Sequence, residues 1–174
     1  GRVSRVDAAT STLSTDFEDI VADVANVIPP QKAAEIAARA GISDATGWCP
    51  INATSFESTL QDNIHVIGDA AIAAPMPKSA FAASLQAKLC AISVARSLAG
   101  LAPQPTVLAS TCYSYTGDNA AVSITGVYTN EDGTFQTVPG AGGLSAANAP
   151  EADRAAEAAQ AVAWFDAVTS DAFG

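Results

Sequence analysis

The sequence predicts an α/β fold for about the first hundred residues and a small α+β domain after them. The apolar segment NIHVIGD, residues 63–69, has the short, β-branched composition of a buried strand. It ends in Gly-Asp, and an alanine-rich helix is predicted from Lys78 to Leu98. A linker with two prolines, residues 100–106, then leads to segments rich in β-branched and aromatic residues.

The other elements follow from local patterns. The alternation of residue types before Pro29 predicts strands. A short helix is predicted over 30–41, with a proline at its start and Gly41 at its end. Beyond the linker we expect a hairpin turn of the Asp-Gly type over 130–134, a flexible loop over 140–150 and a terminal helix from Glu151. The strands predicted around that turn are STCYSYT (110–116), AAVSITGVYTN (120–130) and TFQTVP (134–139).

The charge balance limits the possible partners. The chain has 18 acidic and 8 basic residues, with a net charge of −10. It has no basic stripe, so nucleic acids and anionic membranes are poor partners, whereas a basic protein suits such a surface. The most apolar helix carries Gln86, Lys88 and Arg96, which argues against a membrane span.

Three cysteines and one histidine are candidates for chemistry. Cys90 lies in the apolar helix pattern, where a free cysteine packs as a small hydrophobe. Cys49 lies in a turn, and its role stays open. Cys112 is either an inert strand cysteine or a reactive one, with any partner distant in sequence or outside the chain. His65 lies inside the predicted strand, so we expect a structural role for it and no metal site.

The Gly-Asp pair at residues 68–69 has two interpretations. At the carboxyl end of a strand in an α/β sheet, Gly68 lets a ligand approach the backbone and Asp69 can accept a hydrogen bond from a sugar-type hydroxyl. The helix N-terminus near Lys78 and Ser79 would favour an anionic group. Alternatively, Asp69 caps the turn.

Several motifs together carry a family resemblance. The segment TLQDNIHVIGDA resembles the second FAD-contacting motif of flavoproteins with two dinucleotide-binding domains. The whole ordered set resembles the flavoprotein subunit of flavocytochrome c sulfide dehydrogenase, over nearly all of the chain and in the C-terminal half of that subunit. The set comprises VIPPQ (27–31), GWCPINATSFES (47–58), HVIGDAAIAAPMPKS (65–79), TCYS (111–114) and a terminal Trp164 followed by DAFG (171–174).

The resemblance implies a cofactor, FAD, and roles for named residues. Gly68 and Asp69 would bind the ribityl chain of the flavin. The PMPKS segment, which contributes Met76, Pro77, Lys78 and Ser79, would pass the pyrimidine edge of the flavin ring, where Lys78 could stabilise negative charge. Trp164 would lie near the flavin.

The same resemblance makes Cys112 one member of a redox-active cysteine pair that oxidises sulfide. The second cysteine and the one that anchors the flavin would belong to a missing N-terminal half, since neither Cys49 nor Cys90 matches them. Electrons would pass to a c-type cytochrome subunit in the periplasm. Phe81 stands where this family has a tyrosine, which puts the tuning of the site in doubt.

The resemblance also implies a domain division. Residues 1–58 would end the second nucleotide-binding-like domain, 59–103 would return to the FAD-binding domain, and 104–174 would form an α+β domain that covers the flavin. No GxGxxG motif follows a strand, because the GAGG at 140–143 lies in a predicted loop. We therefore expect the chain to be inactive alone.

Two alternatives stay open. The chain could be a truncated, non-catalytic acidic domain that binds a cytochrome or another partner protein. A sulfide:quinone reductase or a related NADH-oxidising flavoprotein shares the Gly-Asp motif, but the chain has no amphipathic C-terminal segment suited to inserting into a membrane.

Overall fold

The computed structural model describes residues 2–174 apart from the side chain of Asp132, and it divides the chain into two compact units. The first extends to Gln31 and the second runs from Lys32 to Gly174. The assignment of 1–58, 59–103 and 104–174 to parts of a larger flavoprotein stays a prediction.

The first unit is a small antiparallel sheet. Its strands are β1 (Val3–Asp7), β2 (Thr12–Thr15) and β3 (Asp19–Val21), in the order β1-β2-β3. Alternation in this segment predicted strands, and the structure confirms them.

The second unit is a mixed α/β structure with three helices. Its helices are α1 (Glu35–Arg39), α2 (Ala80–Leu98) and α3 (Glu151–Phe173). Its strands are β4 (Cys49–Pro50), β5 (Ala71–Ile72), β6 (Val107–Gly117), β7 (Ala120–Thr129), β8 (Gln136–Thr137) and β9 (Gly143–Leu144). β4 and β5 pair in parallel, whereas the four later strands form one antiparallel sheet.

Helices α2 and α3 are confirmed, whereas the helix predicted over 30–41 is shorter than expected. Only residues 35–39 are helical, and Gly41 follows them with a φ of +69°. The residues from Pro29 to Ala34 stay non-helical, and the first turn of the helix is closed by the Ala37 amide, which donates to the Ala34 carbonyl at 2.9 Å. The prolines therefore precede the helix without opening it.

The buried strand predicted over 63–69 is wrong. This segment has one isolated bridge, between His65 and Glu57, and only Val66 of its apolar side chains is buried. Its backbone hydrogen bonds run to the preceding turn, where the amide of Val66 donates to the carbonyl of Phe56 at 2.9 Å. No strand of residues 2–174 extends beside it, so an apolar run forms an irregular extended segment instead.

The C-terminal sheet is built on a long hairpin. β6 and β7 pair along their whole length: Val107 lies opposite Thr129 at one end, and Gly117 lies opposite Ala120 at the other. On the far side of β7 lie β8 and β9, and β9 falls inside the expected flexible loop over 140–150, which is a correction. The amide of Ser123 donates to Ser145 Oγ at 2.7 Å, and this fixes the loop.

The turn over 130–134 connects β7 to β8 as predicted, but it is a single 3₁₀ turn instead of a two-residue Asp-Gly turn. The difference comes from Asn130, which is 1% exposed. Its Oδ1 accepts from the Thr106 amide at 2.6 Å and its Nδ2 donates to the Ala53 carbonyl at 3.0 Å. The side chain therefore joins the linker, the 51–56 loop and the hairpin.

We expect Asn130→Ala to lower the free energy of unfolding by about 3 kcal/mol, because it leaves buried amide and carbonyl groups unpaired. Urea denaturation followed by circular dichroism measures this loss. Asn119→Ala, on the exposed turn between β6 and β7, is the matched control and should change stability by less than about 0.5 kcal/mol. Equal effects of the two substitutions would contradict the role given to Asn130.

Candidate active site

The Gly-Asp pair forms a 3₁₀ turn over Gly68–Ala70 that packs on helix α2. Gly68 has a φ of +67°, and a Cβ there would lie 3.4 Å from that of Ala83. The left-handed backbone conformation strains any L side chain, whereas the space itself would tolerate one. Glycine is therefore required here for its conformation more than for close packing.

The carboxylate of Asp69 is exposed, and within residues 2–174 it accepts no hydrogen bond. The interpretation that Asp69 caps the turn is therefore wrong. A carboxylate held at a turn without a protein partner is available to a ligand hydroxyl, as the other interpretation requires.

Gln86 on helix α2 is the residue that the sequence analysis missed. It is 2% exposed; its Oε1 accepts from the amide of Gly68 at 2.8 Å, and its Nε2 donates to Sδ of Met76 at 3.2 Å. One buried side chain thus fixes both the Gly-Asp turn and the Met76 loop on α2. A lone glutamine in an apolar helix pattern was the available signal, and it was used only against a membrane span.

Lys78 is fixed by the same loop. Its Nζ donates to the carbonyls of Asp69 and Ala71, the latter at 3.0 Å, and lies 3.8 Å from the centroid of the Trp48 ring. A cation over an indole face is favourable. The positive charge of the ammonium group is therefore held beside the Gly-Asp turn. Its stabilisation of negative charge on a reduced flavin stays a prediction.

These residues line a small cleft of about 150 Å³, which we call the turn cleft. The predicted site residues in its wall are Gly68, Asp69, Met76, Pro77, Lys78 and Ser79. The structure thus brings together the residues that the resemblance assigned to flavin binding, apart from Trp164.

Ser79 connects the turn cleft to the C-terminal sheet. As the N-cap of α2, its Oγ accepts from the Ala82 amide at 3.2 Å. The same oxygen lies 2.9 Å from Oγ of Ser110 on β6. The start of the helix is therefore fixed to the strand that carries Cys112.

Cys112 lies on β6 and lines two larger clefts. The aromatic cleft, about 480 Å³, lies between β6 and the helices and contains Phe81 and Trp164. These rings stack with centroids 5.5 Å apart and planes at 17°. Trp164 thus joins Cys112 in one cleft, and Phe81 contributes a ring without a hydroxyl.

The hairpin cleft, about 430 Å³, contains Cys112, Gly126 and Tyr128 together with Pro75 and Pro77. Pro77 also lines the turn cleft, just as Ser79 lines both the turn cleft and the aromatic cleft. The three clefts therefore share walls, and Cys112 lies between the two larger ones.

The other two thiols differ from Cys112. Cys49 is 0% exposed in β4, and Cys90 packs against the core that contains Phe56 and Leu108. Burial raises the pKa of both thiols, and for Cys49 the charge of Asp44 adds to the rise. Both are packing residues in this structure, as the sequence indicated for Cys90, and this settles the open role of Cys49. All three cysteines have free thiols.

A comparison with protein families finds a match in the last part of the chain. Residues 104–173 match the family model described as flavocytochrome c sulphide dehydrogenase, flavin-binding. This segment is similar to the flavin-binding domain of that family, and the match covers less than half of the chain. The resemblance stated from the motifs is thereby confirmed for the segment that carries Cys112 and Trp164, and a flavin of the FAD type is its cofactor. The residues of the turn cleft, 68–79, lie outside the matched range.

Two further observations concern membrane spans and metal sites. No helix of residues 2–174 is long and apolar enough to cross a membrane. Within the same residues, no three His, Cys, Asp or Glu side chains group as metal ligands would.

We expect Gln86→Leu to speed hydrogen exchange of the Gly68 amide at least about tenfold, because that amide loses a buried acceptor. Exchange measured by NMR or mass spectrometry checks this. Gln160→Leu, on the exposed face of α3, is the control and should leave the Gly68 amide unchanged. Unchanged protection in the Gln86 variant would mean that another group holds the turn.

The three thiols should differ in alkylation. Iodoacetamide reacts with thiolates, and burial raises the pKa of Cys49 and Cys90, so near pH 7 both form little thiolate. We expect Cys112 to be labelled first, and labelling of Cys90 to increase only at a pH above the ordinary pKa of a thiol. Peptide mass spectrometry measures the order, and early labelling of Cys49 would contradict this structure.

Proposed function

We propose that the chain is the C-terminal half of an FAD-dependent sulfide dehydrogenase subunit, which oxidises sulfide at a cysteine pair beside the flavin and passes electrons to a c-type cytochrome. The observation that carries the proposal is the position of Cys112. Cys112 lines two clefts that share walls with the Gly68–Asp69 turn and with the Phe81–Trp164 stack.

The residues of the turn cleft fit the flavin that the family implies. The Asp69 carboxylate is exposed and has no partner among the described residues, as a ligand for a ribityl hydroxyl requires. Met76, Pro77, Lys78 and Ser79 would line the flavin ring, and Trp164 would lie beyond them. A bound flavin would supply the two-electron acceptor, and this chain would supply binding groups, a fixed positive charge and the reacting sulfur.

Cys112 would perform the sulfur chemistry. In a disulfide between Cys112 and a second cysteine, hydrosulfide attacks one sulfur, a new S–S bond forms, and the other sulfur leaves as a thiolate. Cys49 and Cys90 are packed in hydrophobic clusters, so the second cysteine must come from outside this chain. The resemblance places it in an N-terminal half, which also supplies the Gly-rich turn for the FAD diphosphate.

The acidic charge of −10 supports a cationic protein partner such as a c-type cytochrome, because opposite charges speed encounter. Disulfide chemistry persists in oxidising compartments, which supports a periplasmic location. The same charge also favours the second candidate, a non-catalytic acidic domain that docks a cytochrome. The two candidates differ in whether Cys112 is needed for electron transfer.

We expect Cys112→Ser in the complete flavoprotein to abolish sulfide-dependent cytochrome reduction, by at least about a thousandfold, while the flavin stays bound. Loss of the reacting sulfur removes the covalent step but none of the binding groups of the turn cleft. Cytochrome absorbance measures reduction, and the flavin spectrum measures occupancy.

Cys90→Ser is the matched control, because it makes the same change in a thiol that packs against the core. It should retain reduction. Retained activity in the Cys112 variant would support the docking domain over the enzyme.

A further inference from the structure

The face of the β6–β7 hairpin that carries Cys112 also carries Tyr128. Cross-strand pairs are Cys112–Ile124, Ser110–Gly126 and Leu108–Tyr128, and paired residues of antiparallel strands share a face. Tyr128 therefore lies two cross-strand pairs from Cys112 on one surface, with Gly126 between them.

The ring of Tyr128 folds back along the strand over Gly126. A Cβ built on Gly126 would lie 2.7 Å from Cζ of Tyr128 and closer still to its hydroxyl oxygen. Only glycine at this position leaves room for the ring. The hydroxyl is thereby directed along β7 toward the pair that contains Cys112.

The hydroxyl opens onto the hairpin cleft without a protein partner. Tyr128 is 7% exposed, yet within residues 2–174 its hydroxyl makes no hydrogen bond, and both Tyr128 and Cys112 line the cleft. Among the described wall residues, Ser110 instead has Ser79 as a partner and Thr125 has Thr111. Among the described side chains only Nη1 of Arg154 is both buried and unpaired, so the Tyr128 oxygen keeps access to the cleft, where an acceptor has room to bind it.

An acceptor between the two side chains would be anionic if it comes from Cys112. The thiol and the hydroxyl do not bond each other directly, but a second sulfur on Cys112 extends the side chain by about 2.05 Å. None of the described residues in the wall of the hairpin cleft carries a positive charge. Lys78 is fixed on two carbonyl groups of the turn instead.

Tyr128 keeps its proton while it acts as a donor. Burial raises the pKa of its phenol, and negative charge on Cys112 raises that pKa further. The hydroxyl therefore stays a neutral donor when a sulfur anion forms beside it.

We propose that the hairpin cleft binds the outer sulfur of a persulfide on Cys112, and that the Tyr128 hydroxyl donates the hydrogen bond that holds this anion. This inference rests on the proposed function, since it needs Cys112 to react with sulfide. It places the sulfur intermediate in the hairpin cleft, on the face of the sheet that carries Gly126.

The experiment forms the persulfide on the 174-residue chain with Cys90→Ser. Cys112 is first converted to its mixed disulfide with thionitrobenzoate. One equivalent of hydrosulfide then attacks the Cys112 sulfur: the new S–S bond forms, the old one breaks, and thionitrobenzoate leaves with the electron pair. Cyanide added after increasing delays takes the outer sulfur as thiocyanate and leaves the Cys112 thiol, so thiocyanate yield measures the persulfide that remains.

We expect Tyr128→Phe to shorten the persulfide half-life about tenfold, because a hydrogen bond to a charged group is lost. In this variant, the rate at which Cys112 forms its mixed disulfide with thionitrobenzoate should match the rate in the unsubstituted chain. A merely structural role of Tyr128 would change both this rate and the persulfide half-life. Tyr113→Phe is the matched control: Tyr113 is next to Cys112 on β6, lines the aromatic cleft and should have no effect.

Gly126→Ala gives a second test that keeps the hydroxyl. Its Cβ displaces the Tyr128 ring, and the half-life should fall as in the phenylalanine variant. Equal half-lives in the Tyr128 variant and the unsubstituted chain would overturn the role of Tyr128 while leaving Cys112 reactive. Failure of Cys112 to form any persulfide would overturn both this inference and the proposed function.

Discussion

The amide of Gln86, buried on helix α2, is the interaction on which the candidate site depends. Oε1 of Gln86 accepts from Gly68 and Nε2 donates to Met76, so two loops without regular structure are fixed on one rigid helix. A buried side-chain amide is stable when both its oxygen and its nitrogen are hydrogen-bonded. If either atom were left unpaired, its burial would carry a desolvation cost. Lys78 and Ser79 extend the same scaffold to the Trp48 ring and to β6.

The helices and the hairpin could be predicted because their signals are local. The alanine-rich segment with Ser79 before it specifies α2, and alternating β-branched residues specify β6 and β7. The segment 63–69 was predicted as a strand because composition cannot show whether neighbouring strands exist. The short turn at Asn130 was mispredicted for a related reason, since its side chain pairs with Ala53, far away in sequence.

The site was partly predictable in the same sense. The resemblance pointed to Gly68, Asp69 and Cys112, and the structure places the first two in one cleft and Cys112 between two clefts beside it. Gln86 and Tyr128 were not found, because nothing local distinguishes a buried glutamine that pairs with loops from a solvated one. The position of the Tyr128 hydroxyl depends on Gly126, two residues earlier, which leaves room for the ring. It also depends on the strand register, in which Gly126 lies opposite Ser110.

The edge position of β6 in the sheet affects how reactants can reach Cys112. Among the described strands β6 pairs only with β7, so one long side of the strand has no neighbour in the sheet. A thiol on an interior strand would be reachable from a single face, and whatever reduces it would have to take turns with whatever oxidises it. On an outermost strand, two reactants of the proposed chemistry could approach Cys112, one over the face of the sheet and one past its open edge.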